Sequence, residues 1–315
     1  MTTFQTPQII LAPMEGVVDH LMRDMLTRVG GFDLCVTEFV RVVESLLPEK
    51  TYHRICPELY NDSKTPCGVP VRVQLLGQHP QWLAENAVRA IELGSFGVDL
   101  NFGCPAKTVN KSKGGAVLLK EPQTLYDIIS EVRKAVPSEH VVSAKIRLGF
   151  DDKSLALENA DALQAAGANL LTVHARTKTE GYKPPAYWDW IAKIRQIVQI
   201  PVIANGEIWS AEDAIKCKKQ ANTPHIMLGR GALALPNLAN TIVNNEAPMT
   251  WDQVKQLLVD YSGYEIFGDK GRYYPNRVKQ WLGYMQRQYT QASELFEQIK
   301  RMQDPQQILS VLTQA

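Results

Sequence analysis

This chain of 315 residues is short of paired cysteines, of net charge and of long apolar runs. Its five cysteines, at 35, 56, 67, 104 and 217, are odd in number and scattered. None forms a CxxC pair or a Cys/His cluster at metal-ligand spacing, so a reduced, metal-free protein is expected. A formal charge of +1 supplies no global field for nucleic acid, and any such site must be a local patch. No apolar run approaches the roughly 20 residues of a membrane span. The opening MTTFQTPQII lacks a basic segment followed by an apolar one, so neither a signal peptide nor a membrane partner is expected and the cytoplasm is the expected location. A monomer is the expected state. No GxGxxG follows the first apolar run, which argues against a doubly wound dinucleotide fold.

What is present is alternation. Short, β-branched apolar runs occur at 9–13, 34–38, 71–76, 98–101, 142–148, 170–174, 202–205 and 226–229. Their near-continuous hydrophobicity is that of parallel strands covered on both faces. Amphipathic, helix-like stretches separate many of them, at 80–93, 121–135, 154–166, 187–198 and 211–218. Gly94 and Gly167 follow two of these periodic stretches and Ser210 precedes another, as helix ends require. The pattern predicts a (β/α)8 TIM barrel. After Pro236 the strand signals stop, and helical patterns at 251–264, 277–289 and 293–302, with a last short helix opened by Pro305, run towards the end. Two domains are expected, a catalytic barrel over 1–245 and a small all-helical domain over 246–315.

Polar residues recur at the C-terminal ends of the strands, where such barrels gather ligands. They include Pro13-Met14-Glu15, Glu38, Arg41, Gln74, Asn101, Lys145, Arg147, His174, Arg176, Asn205-Gly206-Glu207 and Gly229-Arg230-Gly231. Glycines with Arg230 at the ends of strands seven and eight suit a phosphate. Lys145, His174 and Gln74 beside it suit FMN, with the lysine stabilising negative charge at the N1–C2=O edge of the reduced ring. The rival role for Lys145 is a Schiff-base nucleophile.

Cys104, in the loop after strand four and followed by Pro105, is held where chemistry is placed. A thiol of ordinary pKa, about 8.5, is mostly protonated at neutral pH and can act as a general acid. Hydride delivery to one carbon of a polarised C=C needs such a proton for the other. A small buried hydrophobe is the alternative reading of a free cysteine.

Between 270 and 293 lie Lys270, Arg272, Arg277, Lys279 and Arg287 with no acidic residue, interleaved with Tyr273, Tyr274, Trp281, Tyr284 and Tyr289. Cations mixed with aromatics suit phosphate contacts and base stacking, so RNA is the expected partner. A solvated helix face with Trp281, Leu282 and Met285 as core is the alternative. His53, His79, His140 and His225 read as structural or exposed, and Trp188 and Trp190 as wall packing.

LAPMEGV at 11–17, VQLLG at 73–77, DLNFGCPAK at 99–107, GGA at 114–116, KIRLG at 145–149, VHART at 173–177, ANGEI at 204–208 and LGRGAL at 228–233 together resemble the tRNA-dihydrouridine synthases. TEFVRV at 37–42, HRICPEL at 53–59 and NRVKQWL at 276–282 look like the bacterial C-type members, which act on uridine 16 of the D-loop. The resemblance implies an FMN barrel, reduced by NADPH (or NADH), and a helical tRNA-binding domain. It implies hydride transfer to uracil C6 and a proton from Cys104 to C5. Pro13, Met14, Glu15, Gln74, Lys145, His174, Asn205, Gly206, Glu207, Gly229 and Arg230 would hold FMN. Asn101 would orient the uracil, and Arg41, Tyr182, Arg277, Lys279, Tyr284 and Lys300 would orient the tRNA. Phe102, Ala106 and Lys113 depart from the loop pattern of some relatives.

Three alternatives stay open at this point: a flavin dehydrogenase of free dihydropyrimidines or dihydroorotate, a synthase acting at position 20, and a non-catalytic tRNA-binding factor.

Overall fold

The structure, a computed structural model, describes residues 8–266 and 271–314. Eight strands form one closed parallel barrel in chain order: β1 (Ile9–Leu11), β2 (Leu34–Arg41), β3 (Val71–Leu76), β4 (Val98–Phe102), β5 (Val142–Arg147), β6 (Leu170–His174), β7 (Val202–Asn205) and β8 (Ile226–Leu228). β1 pairs with both β2 and β8, which closes the ring and leaves no edge. Each predicted strand is present. β2 runs on past a register shift between Val36 and Phe39, and this carries Glu38 and Phe39 onto the wall of the mouth.

Around the barrel lie α1 (His20–Val29), α2 (Glu49–Ile55), α3 (Pro80–Glu92), α4 (Lys107–Lys111), α5 (Pro122–Ala135), α6 (Ala156–Ala165), α7 (Trp188–Ile197), α8 (Ala211–Ala221), α9 (Arg230–Ala234) and α10 (Leu238–Val243). The five predicted barrel helices are α3, α5, α6, α7 and α8. The helix α1 has no counterpart in the sequence reading, because its apolar stripe is broken by Arg23 and Asp24. Both are buried, and Arg23 is fully enclosed against Glu58 at 2.7 Å. Ser210 caps α8 by accepting from the Asp213 N–H, as its place predicted. Gly94 and Gly167 follow α3 and α6 at φ +93° and +97°, the left-handed turn that ends a helix at little cost only in glycine.

The barrel interior has two chemically different halves. Alternation along the strands sends every second side chain inward. On one side Ile10, Ala12, Leu34, Val36, Leu170, Ile203 and Met227 form an apolar plug of their own. On the β3–β5 side the same parity places Arg72 and Gln74, Asp99 and Asn101, Ser143 and Lys145. Polar groups there are tolerable only when hydrogen-bonded to one another. A second, larger apolar layer lies between strands and helices and runs on into the C-terminal helices.

Those are α11 (Trp251–Ile266), α12 (Tyr274–Met285), α13 (Thr290–Ile299) and α14 (Pro305–Gln314), the last a full ten residues rather than a stub. At the start of α11, Thr250 and Gln253 bond each other's backbone N–H reciprocally, at 2.9 and 3.4 Å. The indole of Trp281, 1% exposed, donates to the Leu233 carbonyl at 3.1 Å and lies edge-on to Tyr261. Arg277 pairs with Asp19 at 2.7 Å and donates to the Tyr261 hydroxyl at 3.0 Å, tying α12 to the start of α1. Among the described residues no helix is long and apolar enough to cross a membrane.

Candidate active site

A cavity of 510 Å³ opens at the C-terminal mouth of the barrel. All eleven residues expected to hold a cofactor line it, and so do Cys104, Asn101, Tyr182 and Tyr284. Its size is that of a small-molecule site. Among the described residues no group of three or more His, Cys, Asp or Glu is placed to hold a metal.

One wall is built by the ends of β7 and β8. Gly206 has φ +113°, and a Cβ there would stand 2.7 Å from the His174 ring, so glycine is required for the backbone to pass. Glu207 follows at φ +58°, an uncommon state for a side-chain-bearing residue. It is held there by a part-buried ion pair with Arg176 and by the Trp209 indole N–H at 2.9 Å. Burial pushes the Glu207 carboxyl up, but the Arg176 and Trp209 hydrogen bonds outweigh it and hold it below the usual carboxylate range. Arg230 lies 3.7 Å from the same carboxylate, stacked between the rings of Tyr182 and Trp209. A guanidinium so framed, beside two glycines, is a preorganised site for a phosphate.

Lys145 forms the opposite feature. Among the described residues it makes neither an ion pair nor a hydrogen bond, although its side chain faces the cavity. Burial first, then the like charge of Arg147, pushes its pKa down to about 8. A cation in this state gains from any ligand that brings negative charge to it. His174 is driven well below its ordinary pKa by burial and by Arg147, Lys145 and Arg176, so the ring is neutral. Its Nε2 lies 3.4 Å from Arg176 Nη1, which can only donate, and the proton therefore sits on Nδ1.

Cys104 hangs from the end of β4. Its N–H and that of Gly103 both donate to Asn101 Oδ1 at 2.9 Å. Its carbonyl accepts from Asn110 Nδ2 at 2.9 Å and from the Ala116 N–H at 3.1 Å. Arg147 donates from Nε to the Gly103 carbonyl at 2.8 Å and from Nη1 to the Gly181 carbonyl at 3.0 Å, clamping this loop to the one that carries Tyr182. Burial pushes the Cys104 thiol above its ordinary pKa, with Glu15 adding to it, so the protonated form prevails at neutral pH. Phe102 is 1% exposed, which makes its departure from the loop pattern a matter of core packing. Lys113 takes φ +55° before the glycine pair.

The residues expected to meet RNA are divided. Tyr182 and Tyr284 line the main cavity, and Tyr182 is half exposed over Arg147 and Arg230. Arg41 lines a separate cavity of 440 Å³ with Lys111 and Lys113, and it donates to Ser112 Oγ at 2.6 Å. Lys300 is partly exposed and paired with Glu297. Arg277 and Lys279, by contrast, have structural partners, Asp19 and the Met302 carbonyl. Tyr274, Trp281 and Tyr289 are buried in the helical core rather than offered for stacking. Lys270 lies outside the described residues. Arg287 is exposed, with its guanidinium over the Trp209 ring at 4.0 Å from the centroid.

Several residues of this site were not singled out in the sequence reading. Asp99 is 3% exposed beneath Gln74, and only the parity of DLN, aspartate and asparagine on one strand face, signals it. Arg147 reads in the sequence only as one more polar residue at a strand end. Trp209 carries no local signal beyond its place two residues after Glu207. Trp188, expected as wall packing, is buried and also donates its indole N–H to the Gly206 carbonyl at 2.9 Å.

Comparison with known proteins places this geometry. The chain matches the profile described as "Dihydrouridine synthase (Dus)" over residues 10–315. It is 56% identical over 308 residues to the tRNA-dihydrouridine(16) synthase of Shewanella oneidensis, covering 98% of both chains. It is 54% identical over 294 residues to that of Escherichia coli K12, covering 93% of each. Among solved structures it is similar to a variant of NCR from Zymomonas mobilis, with a TM-score of 0.54 at 16% identity over 79% of this chain and 90% of that one. A second, TcOYE with pHBA, gives 0.53 at 14% identity over 76% and 90%. These structural likenesses concern the barrel fold alone. With a family profile spanning nearly its whole length and relatives above half identity from end to end, the chain belongs to the dihydrouridine synthase family.

Proposed function

We propose that this protein reduces the C5–C6 double bond of uridine 16 in the D-loop of tRNA to 5,6-dihydrouridine, acting as a monomer in the cytoplasm with FMN as cofactor and NADPH as reductant. The observation that carries this reading is a half-buried lysine with neither ion pair nor hydrogen bond and a protonated thiol on one cavity, in a chain whose close relatives bear the name tRNA-dihydrouridine(16) synthase. Such a pair suits delivery of a hydride and a proton to opposite ends of one double bond.

The donor set fits FMN. Gly206, Gly229 and Arg230 would hold the phosphate, and Pro13, Met14, Glu15, Gln74, Asn205 and Glu207 would frame the remainder. Lys145 would offset negative charge on the reduced ring, and neutral His174 would donate from Nδ1. When bound, the flavin supplies the hydride for uracil C6. Cys104 then gives its proton to C5, and Asn101 and Tyr182 orient the base. The uracil must turn out of the folded tRNA to enter, which costs on the order of a few kcal/mol. We assign residues 1–245 to the catalytic barrel and 246–315 to holding the tRNA. Arg41, Tyr284 and Lys300 face it, while Arg277 and Lys279 keep the helices in place.

The deciding experiment is position-resolved dihydrouridine mapping of tRNA from cells lacking this gene, complemented with wild type or Cys104→Ala. The expected result is loss at position 16, restored by the wild type alone. Unchanged dihydrouridine in the gene-less cells would overturn the reading.

A further inference from the structure

Beneath the cavity, four buried side chains form one hydrogen-bonded chain with a fixed polarity. Arg72 Nη1 donates to Ser143 Oγ at 3.2 Å, and Ser143 Oγ donates to Asp99 Oδ1 at 2.6 Å. Gln74 Nε2 donates to Asp99 Oδ2 at 2.7 Å. Both carboxylate oxygens of Asp99 are therefore acceptors, and this decides which way the Gln74 amide points. Its Oε1 is turned to receive Asn101 Nδ2 at 2.7 Å. That in turn aims Asn101 Oδ1 at the Gly103 and Cys104 N–H groups, both at 2.9 Å. Arg72, Gln74, Asp99 and Ser143 are each at most 3% exposed, so water does not compete for these bonds.

An amide can be turned end for end at almost no steric cost, and nothing in the shape of Gln74 or Asn101 selects one orientation. The chain is polarised from both ends: the Asp99 carboxylate only accepts, the Gly103 and Cys104 N–H groups only donate, and the two amides between them satisfy both in one orientation alone. We infer that Asp99 is a positioning residue: acting through Gln74 and Asn101, it fixes the loop on which Cys104 is presented to the substrate. This rests on the reading of Cys104 as the proton donor. It adds the part of the molecule that sets where the thiol stands, two side chains away from it.

The five thiols provide a readout separate from turnover. Cys35, Cys56 and Cys217 are buried, Cys67 is exposed, and Cys104 lies between. The full-length wild type, Asp99→Ala and Asn101→Ala proteins, as purified, are pulsed with iodoacetamide, and alkylation at each cysteine is followed by peptide mass spectrometry. Cys67 calibrates the reagent. The expected result is a rise of about three- to ten-fold at Cys104, the factor that loss of one net hydrogen bond represents, with Cys35, Cys56 and Cys217 still protected. Asn101→Ala should give the same rise, and the double variant no more than either single one. If Asp99→Ala does not yield soluble protein, Gln74→Met severs the chain one link further on while leaving the carboxylate in place. Cys104 reactivity within two-fold of wild type in a soluble variant would overturn the inference, and so would an equal rise at all buried thiols. Failure of the proton-donor reading would look different, since Cys104→Ala would then keep its turnover whatever the alkylation rates.

Discussion

Gly115 lies against Cys104 so closely that a Cβ on it would stand 2.9 Å from the Cys104 carbonyl oxygen and 3.1 Å from its Cβ. Gly115 also has φ +65°, so an alanine there meets both a strained backbone and an occupied space. The neighbours that must yield are the backbone carrying the thiol and the Val109 side chain, whose Cγ1 stands 3.0 Å away. We predict that Gly115→Ala lowers turnover by at least about ten-fold, since a displacement near 1 Å at a reacting group has effects of that order or more. Stability should fall by only about 1–2 kcal/mol. Parallel turnover and thermal denaturation measurements separate the two effects, and equal activity would show that the loop accommodates the methyl group.

Much of this architecture was legible beforehand. Parallel strands buried on both faces leave near-continuous apolar runs, and all eight were found, with β3, β6 and β7 matching residue for residue. Most of the polar residues at the strand ends converge on one cavity because barrel closure leaves them no other place, whereas Arg41 lines a second cavity and Arg176 is buried against Glu207. The helix α1 escaped because a buried Arg23–Glu58 pair interrupts its apolar stripe, and charge in a sequence reads as surface. The same bias hid Asp99. Nor does any local pattern encode that Arg277 and Lys279, which read as RNA contacts, have protein partners in distant segments.

Lys145 ties stability to pH. Its folded-state pKa of about 8 lies below its ordinary value of 10.5, so between these the unfolded chain binds more protons and stability rises with pH. For the flavin-free protein we expect a gain of about 1–3 kcal/mol on going from pH 8 to pH 10.5, absent in Lys145→Met. Affinity for reduced FMN should run the other way and weaken above about pH 8, as the lysine loses its charge. Denaturant titrations and flavin binding at a series of pH values test both signs. A Lys145→Met protein that retains the stability slope would assign it to another group.

The thiol predicts a second pH effect. Because burial raises the Cys104 pKa, the proton donor is fully protonated at neutral pH, and the alkaline limb of kcat should begin above the ordinary thiol range. Cys104→Ala should reduce turnover by about 10²- to 10⁴-fold, the usual contribution of a general acid, and should remove that limb. Rapid-mixing measurement of dihydrouridine formation across pH reads the chemical step directly. A limb that survives in Cys104→Ala would point to another donor.

Arg277 and Arg41 make opposite predictions for tRNA binding. Arg277 is tied to Asp19, a side chain that also caps α1 by accepting from the Met22 N–H at 3.1 Å. Asp19→Asn keeps an acceptor for the cap and removes the charge partner, so with Arg277→Ala it forms a double-mutant cycle. Both groups are partly buried, and we expect a coupling of about 1–2 kcal/mol in stability. Because the guanidinium is already neutralised, Arg277→Ala should leave the salt dependence of tRNA binding unchanged. Arg41 has a serine hydroxyl as its partner, and Lys111 and Lys113 line the same cavity, so its charge remains for a phosphate. Arg41→Ala should therefore reduce the slope of log K against log salt by about one, with little effect on melting temperature. Filter binding over a range of salt concentrations, set beside melting curves, distinguishes the two arginines. If Arg277→Ala changed the slope while stability held, the Asp19 pair would be dispensable to the fold and that arginine would belong to the RNA surface.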